Sequence, residues 1–358
     1  MQRTFIIAEA GVNHNGSVEN AIKLIDVASE SGADAVKFQT FSADALVSKN
    51  SPKAAYQKLT TEAEETQFEM LKKLELSEDS HQKLIDHAGR KGIEFLSTPF
   101  DLQSLFLLNK KFNIKKIKIP SGEITNAPFL VEIARCADEI ILSTGMSTLA
   151  EVEAALGVIA FGFIGKINTR PSSKAFAEAY SSQEGQEQLR SRLILLHATT
   201  EYPAPPDEIN LNAMDTMSAA FGLRVGYSDH SQGVHIPVAA VAKGASVIEK
   251  HFTLDRSLPG PDHKASLEPT ELKLMVQLIR DVEKAMGDGI KRPTPSEWKN
   301  REVARKSLVA TDNIGKGEIF TEKNLSCKRP GSGISPIQYW DYIGQKANAD
   351  YPIDGPIT

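Results

Sequence analysis

The residues of this 358-residue chain best able to do chemistry stand near the ends of short β-branched runs. Lys37 in AVKFQTF and Lys118 in KIKIPSGE are each flanked by apolar strand residues. A lysine is rarely buried without a partner, so an anion must meet them. Glu9 or Glu123 can be that anion. So can a substrate phosphate or carboxylate, helped by the hydroxyls of Ser121, Ser143 and Ser228 and by backbone amides. A third reading is a Schiff-base lysine, since a desolvated ammonium can lose its proton. His230 closes LRVGYSDH and His251 lies late in SVIEKHFT, on neighbouring strands that can bring two imidazoles to one ion. Two neutral nitrogen ligands with open positions suit Mn²⁺, and Mg²⁺ less well because it prefers oxygen; either would act as a Lewis acid on a substrate oxygen. The same spacing also fits a hydrogen-bonded core pair. Asp229 and Glu249 are candidate orienters of the two rings. His14, His197, His235 and His263 read as structural or substrate-contacting. In RSLPGPDHKASLEP, Asp262 can reach back over the site to sugar hydroxyls or cap a helix.

These residues need a scaffold that gathers strand ends. Eight runs alternate with amphipathic stretches: 5–11, 35–41, 93–100, 116–123, 139–146, 193–200, 223–230 and 246–253. Apolar residues at three- and four-residue spacing predict helices over 18–31, 77–89, 149–161 and 269–285. Eight such repeats predict a (β/α)₈ TIM barrel over residues 1–286, with its active site at the C-terminal strand tips. Those tips carry Glu9, Lys37, Gln39, Thr98, Lys118, Ser121, Glu123, Ser143, His230 and His251. Two connections exceed the usual length. Residues 42–76 are expected to lid the site, and 162–192 to be a surface excursion. Residues 287–300, with Gly, two Pro and polar residues, read as a linker. A unit of short strands and tight turns follows over 301–358, too small to be comfortably stable alone and therefore expected to dock.

Composition narrows the function class. A net charge of −5 with scattered Lys and Arg leaves no footprint for nucleic acid or an acidic membrane, so small-molecule partners are expected. Cys136 and Cys327 stand far apart outside any framework, which argues against structural disulfides and fits a reducing cytoplasm. The apolar run at residues 5–8 is cut by Glu9, and no stretch approaches a membrane span, so no targeting elsewhere is expected.

Taken in order, IAEAGVNHNG, AVKFQTF, LSTPFD, KIPSGEITN, ILSTGM, TTEYPAP, GYSDHS, IEKHFTLD and PGPDH resemble the signatures of the bacterial sialic acid synthase family. Its members join phosphoenolpyruvate to an N-acylated mannosamine-type sugar. KRPGSGIS resembles the family's C-terminal antifreeze-like (SAF, β-clip type) domain, and the match covers nearly the whole chain. The resemblance implies that His230 and His251 bind the metal, Mn²⁺ or Mg²⁺. It implies that Lys37, Thr98, Lys118, Ser121, Ser143 and Ser228 hold phosphoenolpyruvate, and that Glu9, Gln39, Glu123, Tyr202 and Asp262 face the sugar. Arg329 in KRPG matches an arginine that the small domain inserts into a neighbouring subunit's site, which implies a domain-swapped homodimer. Two departures stand out. Thr200 replaces an asparagine of the phosphoenolpyruvate site in some members, and VARKS at 303–307 replaces a Phe-containing segment. With TTEYPAP and PDHKASLEP these features look like legionaminate synthases and one branch of sialic acid synthases. Glu9, Glu123, Lys37 and Lys118 are the expected catalytic groups.

Overall fold

Successive residues of a strand face opposite sides of its sheet, and that parity organises the first unit. The computed structural model describes residues 3–58, 61, 65–165 and 169–358, apart from the side chains of Ala55 and Tyr56. The eight strands are β1 Phe5–Gly11, β2 Ala35–Thr40, β3 Glu94–Pro99, β4 Lys116–Ile119, β5 Glu139–Ser143, β6 Leu193–Ala198, β7 Arg224–Asp229 and β8 Val247–His251. All run parallel in the order β3-β2-β1-β8-β7-β6-β5-β4. Curling brings β3 back beside β4, where Lys116 Nζ lies 3.1 Å from Glu94 Oε1. Among the described residues no backbone ladder joins those two strands, so the expected (β/α)₈ barrel is nearly closed.

Inside it, Ile7, Ala35, Leu96, Ile141, Ile194, Leu196 and Val247 form one apolar plug. Two residues further along the same strands stand Glu9, Lys37, Thr98, Ser143 and Glu249, on the same face by the period of two. The plug closes the bottom of the barrel and sets these polar groups above it. The outward parity, including Ile6, Val36, Phe38, Ile117, Leu142, Leu195 and Ile248, packs on the surrounding helices. Those helices include Val18–Glu30, Glu78–Lys91, Leu149–Ile164 and Pro269–Ala285, close to the stretches that helical spacing predicts. Ser17 and Ser77 accept from the backbone N–H groups of Asn20 and Ser80 and so start the first two.

Two expectations change. The fourth run ends as a strand at Ile119, because Pro120 has no N–H to continue the ladder, and Ser121–Glu123 form a 3₁₀ turn. The 162–192 connection is no plain excursion. The helix before it continues to Ile164, and the helices Ser173–Ser181 and Gln183–Arg192 follow, started by Ser172 and Ser182. Phe176 packs edge-on against Phe161 with ring centroids 5.3 Å apart. Residues 166–168 of that connection lie outside the described residues. In the 42–76 connection the short helices Ala43–Leu46, Ala55–Lys58 and Gln67–Lys72 appear, and residues 59–60 and 62–64 lie outside the described residues.

The chain divides into the units Met1–Gly287 and Asp288–Thr358. In the second, the helix Pro295–Ala304 overlaps the stretch read as a linker. The strands β9 Ser307–Ala310 and β10 Leu325–Lys328 pair antiparallel. Leu308, Ala310, Ile314, Phe320, Leu325, Ala347, Tyr351 and Ile357 form a core of its own. Among the described residues no helix is long and apolar enough to cross a membrane.

Candidate active site

Above the plug opens a cavity of about 340 Å³. Fourteen of the expected site residues line it: Glu9, Lys37, Gln39, Thr98, Lys118, Ser121, Glu123, Ser143, Thr200, Tyr202, Ser228, His230, His251 and Asp262. Arg329 belongs to the second unit, exposed just beyond β10.

The two lysines meet two buried carboxylates. Lys37 Nζ lies 2.6 Å from Glu9 Oε2 and 3.5 Å from Glu249 Oε2, and donates to Thr98 Oγ1 at 2.8 Å. Lys118 Nζ lies 3.5 Å from Glu249 Oε1 and donates to Ser143 Oγ at 2.6 Å. Ser228 Oγ donates to Glu249 Oε1 at 2.9 Å. Glu249 thus sits between both cations. Burial alone would raise its pKa, but Lys118 and Lys37 outweigh that and hold it down to about 2. Glu9 is left the less compensated of the two acids. Burial pushes it up to about 7 against the pull of Lys37, with the charge of Glu249 adding to the rise. Burial would likewise lower Lys37, but Glu249 and Glu9 keep its ammonium above the usual range. Lys118 is brought down to about 8 by burial, with Glu249 opposing. Glu9 and Lys118 are thus both drawn toward neutral pH, and the cluster titrates there as a coupled unit.

The histidines converge beside this cluster, at the tips of β7 and β8 with His251 in register with Glu9, and their ring centroids are 5.5 Å apart. His230 Nδ1 donates to the Thr199 carbonyl at 2.6 Å, which leaves the lone pair on Nε2. Tyr202 donates its hydroxyl to that nitrogen at 3.1 Å. His251 Nδ1 is buried with no hydrogen-bond partner among the described residues; Asp262 Oδ2 lies 3.6 Å away. Burial holds His230 down to about 4 and, with His230 as a neighbour, holds His251 well below the usual histidine value. Held this low, both rings are neutral near pH 7, and each keeps a lone pair. Among the described residues no group of three or more His, Cys, Asp or Glu forms a closed metal site.

Asp262 stands at the start of the 3₁₀ turn His263–Ala265, but its side chain does not cap it. It is buried in the cavity wall, and burial raises its carboxyl to about 6. Gly11, with φ +53°, lets three pocket groups converge. A β-carbon there would stand 3.3 Å from Gln39 Nε2, 3.3 Å from Glu9 Oε1 and 3.5 Å from Asp262 Oδ2. At the tip of β5, the Gly145 N–H donates to Ser121 Oγ at 2.9 Å. Thr200 Oγ1 is buried nearby without a hydrogen-bond partner among the described residues.

Some sequence readings need correction. The carboxylates that meet the lysines are Glu9 and Glu249; Glu123, on the turn after β4, instead accepts from Asn126 Nδ2 at 2.7 Å. Asp229 orients neither histidine. It has outward parity and pairs with Lys250 at 2.6 Å between barrel and helices. Glu249, two residues before His251 on the inward face, serves the lysine cluster. Its parity with His251 was the available signal. His14, His197 and His263 are held by backbone or hydroxyl partners, Gly16 N, Ile209 O and Thr253 Oγ1, and His235 is exposed. Sequence reasoning missed an apolar wall. Phe41, Leu46, Val47, Met70, Leu71 and Leu74 from the second βα connection, with Phe100, line one end of the cavity.

The NeuB family model matches residues 24–291, and the SAF domain model matches residues 305–358. The chain is 52% identical over 354 residues to the N,N'-diacetyllegionaminic acid synthase of Campylobacter jejuni, spanning 99% of this chain and 98% of that protein. It is 46% identical to the protein of the same name from Legionella pneumophila, over 96% and 90% of the two chains. A crystal structure of N-acetylneuraminic acid (sialic acid) synthetase from Leptospira borgpetersenii in complex with citrate is similar, with TM-score 0.65 and 32% identity over 84% of this chain and 90% of that one.

Proposed function

Since the chain belongs to the NeuB family and carries a SAF domain, we propose that it condenses phosphoenolpyruvate with an open-chain N-acylated mannosamine-type sugar and water, giving a nine-carbon 2-keto acid and phosphate. Between N-acetylmannosamine and 2,4-diacetamido-2,4,6-trideoxymannose, the second is favoured by the names of the two relatives at 52% and 46% identity. The product is then N,N'-diacetyllegionaminate. The observation that carries the reading is one cavity with a lysine pair, a glutamate titrating at about 7 and two neutral imidazoles.

The reaction forms a bond between C3 of phosphoenolpyruvate and the C1 aldehyde carbon, leaving positive charge at C2. Water adds at C2, and the proton it loses is matched by one taken up at the former aldehyde oxygen; the C–O bond to phosphate then breaks as the C2 hydroxyl gives up its proton, leaving the keto group and phosphate. Lys37 and Lys118 hold the phosphate and carboxylate, with hydroxyls from Thr98, Ser121, Ser143, Thr200 and Ser228. Preorganised charge of this kind is commonly the largest catalytic contribution. Glu9 moves the proton, because its carboxyl is buried and poised near neutrality, whereas Glu123 is partly exposed and engaged with Asn126. Gln39, Tyr202 and Asp262 orient sugar hydroxyls.

The residues fit a divalent ion. His251 Nδ1 is buried and unpartnered among the described residues, and the His230 ring, whose Nε2 lone pair accepts only from the Tyr202 hydroxyl, has its centroid 5.5 Å from that of His251. His230 and His251 would hold it, with Mn²⁺ favoured over Mg²⁺, and it would supply Lewis-acid polarisation of a sugar oxygen. Charge balance supports more than this. Glu9 and Glu249 already neutralise the two lysines, so a ligand bearing both phosphate and carboxylate calls for further positive charge. A proton on Glu9 and the ion would supply part of it, and Arg329 of a second copy would supply the rest in a domain-swapped homodimer, as the family resemblance implies. The test is a competition assay with both sugars and phosphoenolpyruvate, read by phosphate release and product mass. Release with neither sugar would overturn the reading.

A further inference from the structure

We infer that the apolar wall on the second βα connection selects the 6-deoxy end of the sugar, so that this site takes a C6 methyl in preference to a hydroxymethyl. The inference rests on the synthase reading above and adds to it the residues that choose the substrate.

The sheet order sets the direction. His230 and His251 mark β7 and β8; Lys118, Ser121, Ser143, Thr200 and Ser228 mark β4 to β7; and on β2 and β3 the wall follows in the connections beyond Lys37 and Thr98. Strand β1, with Glu9, lies between β8 and β2. A sugar whose C1 end meets the imidazoles, and whose hydroxyls meet Glu9 and Gln39, therefore runs its far end onto Phe41, Leu46, Met70, Leu71, Leu74 and Phe100. Phe41, Met70 and Leu74 pack together with Val12 as a small core, and Leu46, Leu71 and Phe100 remain half-buried beside it.

The wall is held in place in advance of any ligand. Ala43 N–H donates to Glu75 Oε1 at 2.7 Å and Ser42 N–H to Asp101 Oδ2 at 3.0 Å. Lys72 lies 3.0 Å from Glu75 and 3.2 Å from Asp44. Preorganisation of this kind lowers the cost of ordering the site on binding. Two amides also line this end. These are Gln57, which accepts from the Ala54 N–H at 3.0 Å, and Gln67.

A hydroxymethyl pressed on such a surface gives up hydrogen bonds to water and gains none, whereas a methyl only buries apolar area. The discrimination has a ceiling. Apolar pockets reject an added hydroxyl by about 10²-fold, far less than a polar site rejects a missing one.

The experiment compares 2,4-diacetamido-2,4,6-trideoxymannose with its 6-hydroxy counterpart, so that C4 stays constant. The full-length protein should show kcat/KM about 10²-fold higher for the 6-deoxy sugar. Leu71→Asn should narrow that ratio at least tenfold with the KM for phosphoenolpyruvate unchanged, which also reports an intact fold. Leu46→Asn is the second variant and should act in the same direction. A wild-type ratio near one would overturn the inference, as would equal losses for both sugars in both variants. Phosphate release with neither sugar would instead overturn the synthase reading and this inference with it.

Discussion

Tyr202 donates its phenolic hydrogen bond to His230 Nε2 at 3.1 Å while its ring stacks on that imidazole, with centroids 4.1 Å apart. An ion that takes the Nε2 lone pair must displace this phenol. A typical intramolecular hydrogen bond contributes about 0.5–1.5 kcal/mol net, so Tyr202→Phe should bind Mn²⁺ roughly two- to tenfold more tightly by titration calorimetry. Unchanged affinity would show that the phenol is no competitor. His230→Ala should lose both the calorimetric signal and metal-dependent phosphate release; metal-dependent turnover retained in that variant contradicts the assignment.

Glu9 gives the enzyme a pH signature. With its carboxyl at about 7, kcat/KM should bend near that pH, and Glu9→Gln should remove the bend and lower kcat by about 10²-fold or more. Stability carries the opposite mark. The folded value lies above the ordinary 4.5, so Glu9's contribution is full below about 4.5 and is lost as pH rises through about 7. Urea unfolding at pH 5 and pH 8 should show the wild type losing ground to Glu9→Gln at the higher pH.

Lys118 separates two chemistries that a barrel lysine can serve. If it neutralises phosphoenolpyruvate as an ammonium, Lys118→Met should raise the KM for that substrate about 10- to 100-fold, the size of a lost hydrogen bond to a charged group. Borohydride added during turnover should then leave no adduct on Lys37 or Lys118 by peptide mass. A trapped adduct would point to a Schiff-base aldolase.

Arg329 makes the proposed swap testable. Mixing Arg329→Ala with His251→Ala should restore part of the activity, because a mixed dimer then has one complete site. Absence of rescue, with subunit exchange demonstrated by labelled protein, counts against the swap.

Gly226 tests the packing below the site. A β-carbon there would stand 2.4 Å from the Val247 carbonyl oxygen and 2.7 Å from Leu196 Cδ2, inside the barrel wall. Gly226→Ala should cost about 1–3 kcal/mol of stability, read from the urea midpoint.

Parity along single strands is legible in the order of the amino acids. Ile7 and Glu9, Ala35 and Lys37, and Leu96 and Thr98 each share a face because side chains alternate, and the chain order of such pairs sets the polar groups above the apolar plug. The histidine pair is legible for the same reason, as two strand ends in neighbouring repeats. Which partners meet is not. Glu249 and Asp229 look alike as acids near a histidine, yet opposite parity and the register of β7 against β8 put one between two lysines and the other against Lys250. The wall from Phe41 to Leu74 is equally hidden, because a long connection has no period to announce its inward face. What the sequence by itself determined was the type of each group and the face it stands on. Only closure of the barrel, which sets distances between strands far apart in the chain, decided which charges share a proton and which apolar side chains bound the sugar's end of the cavity.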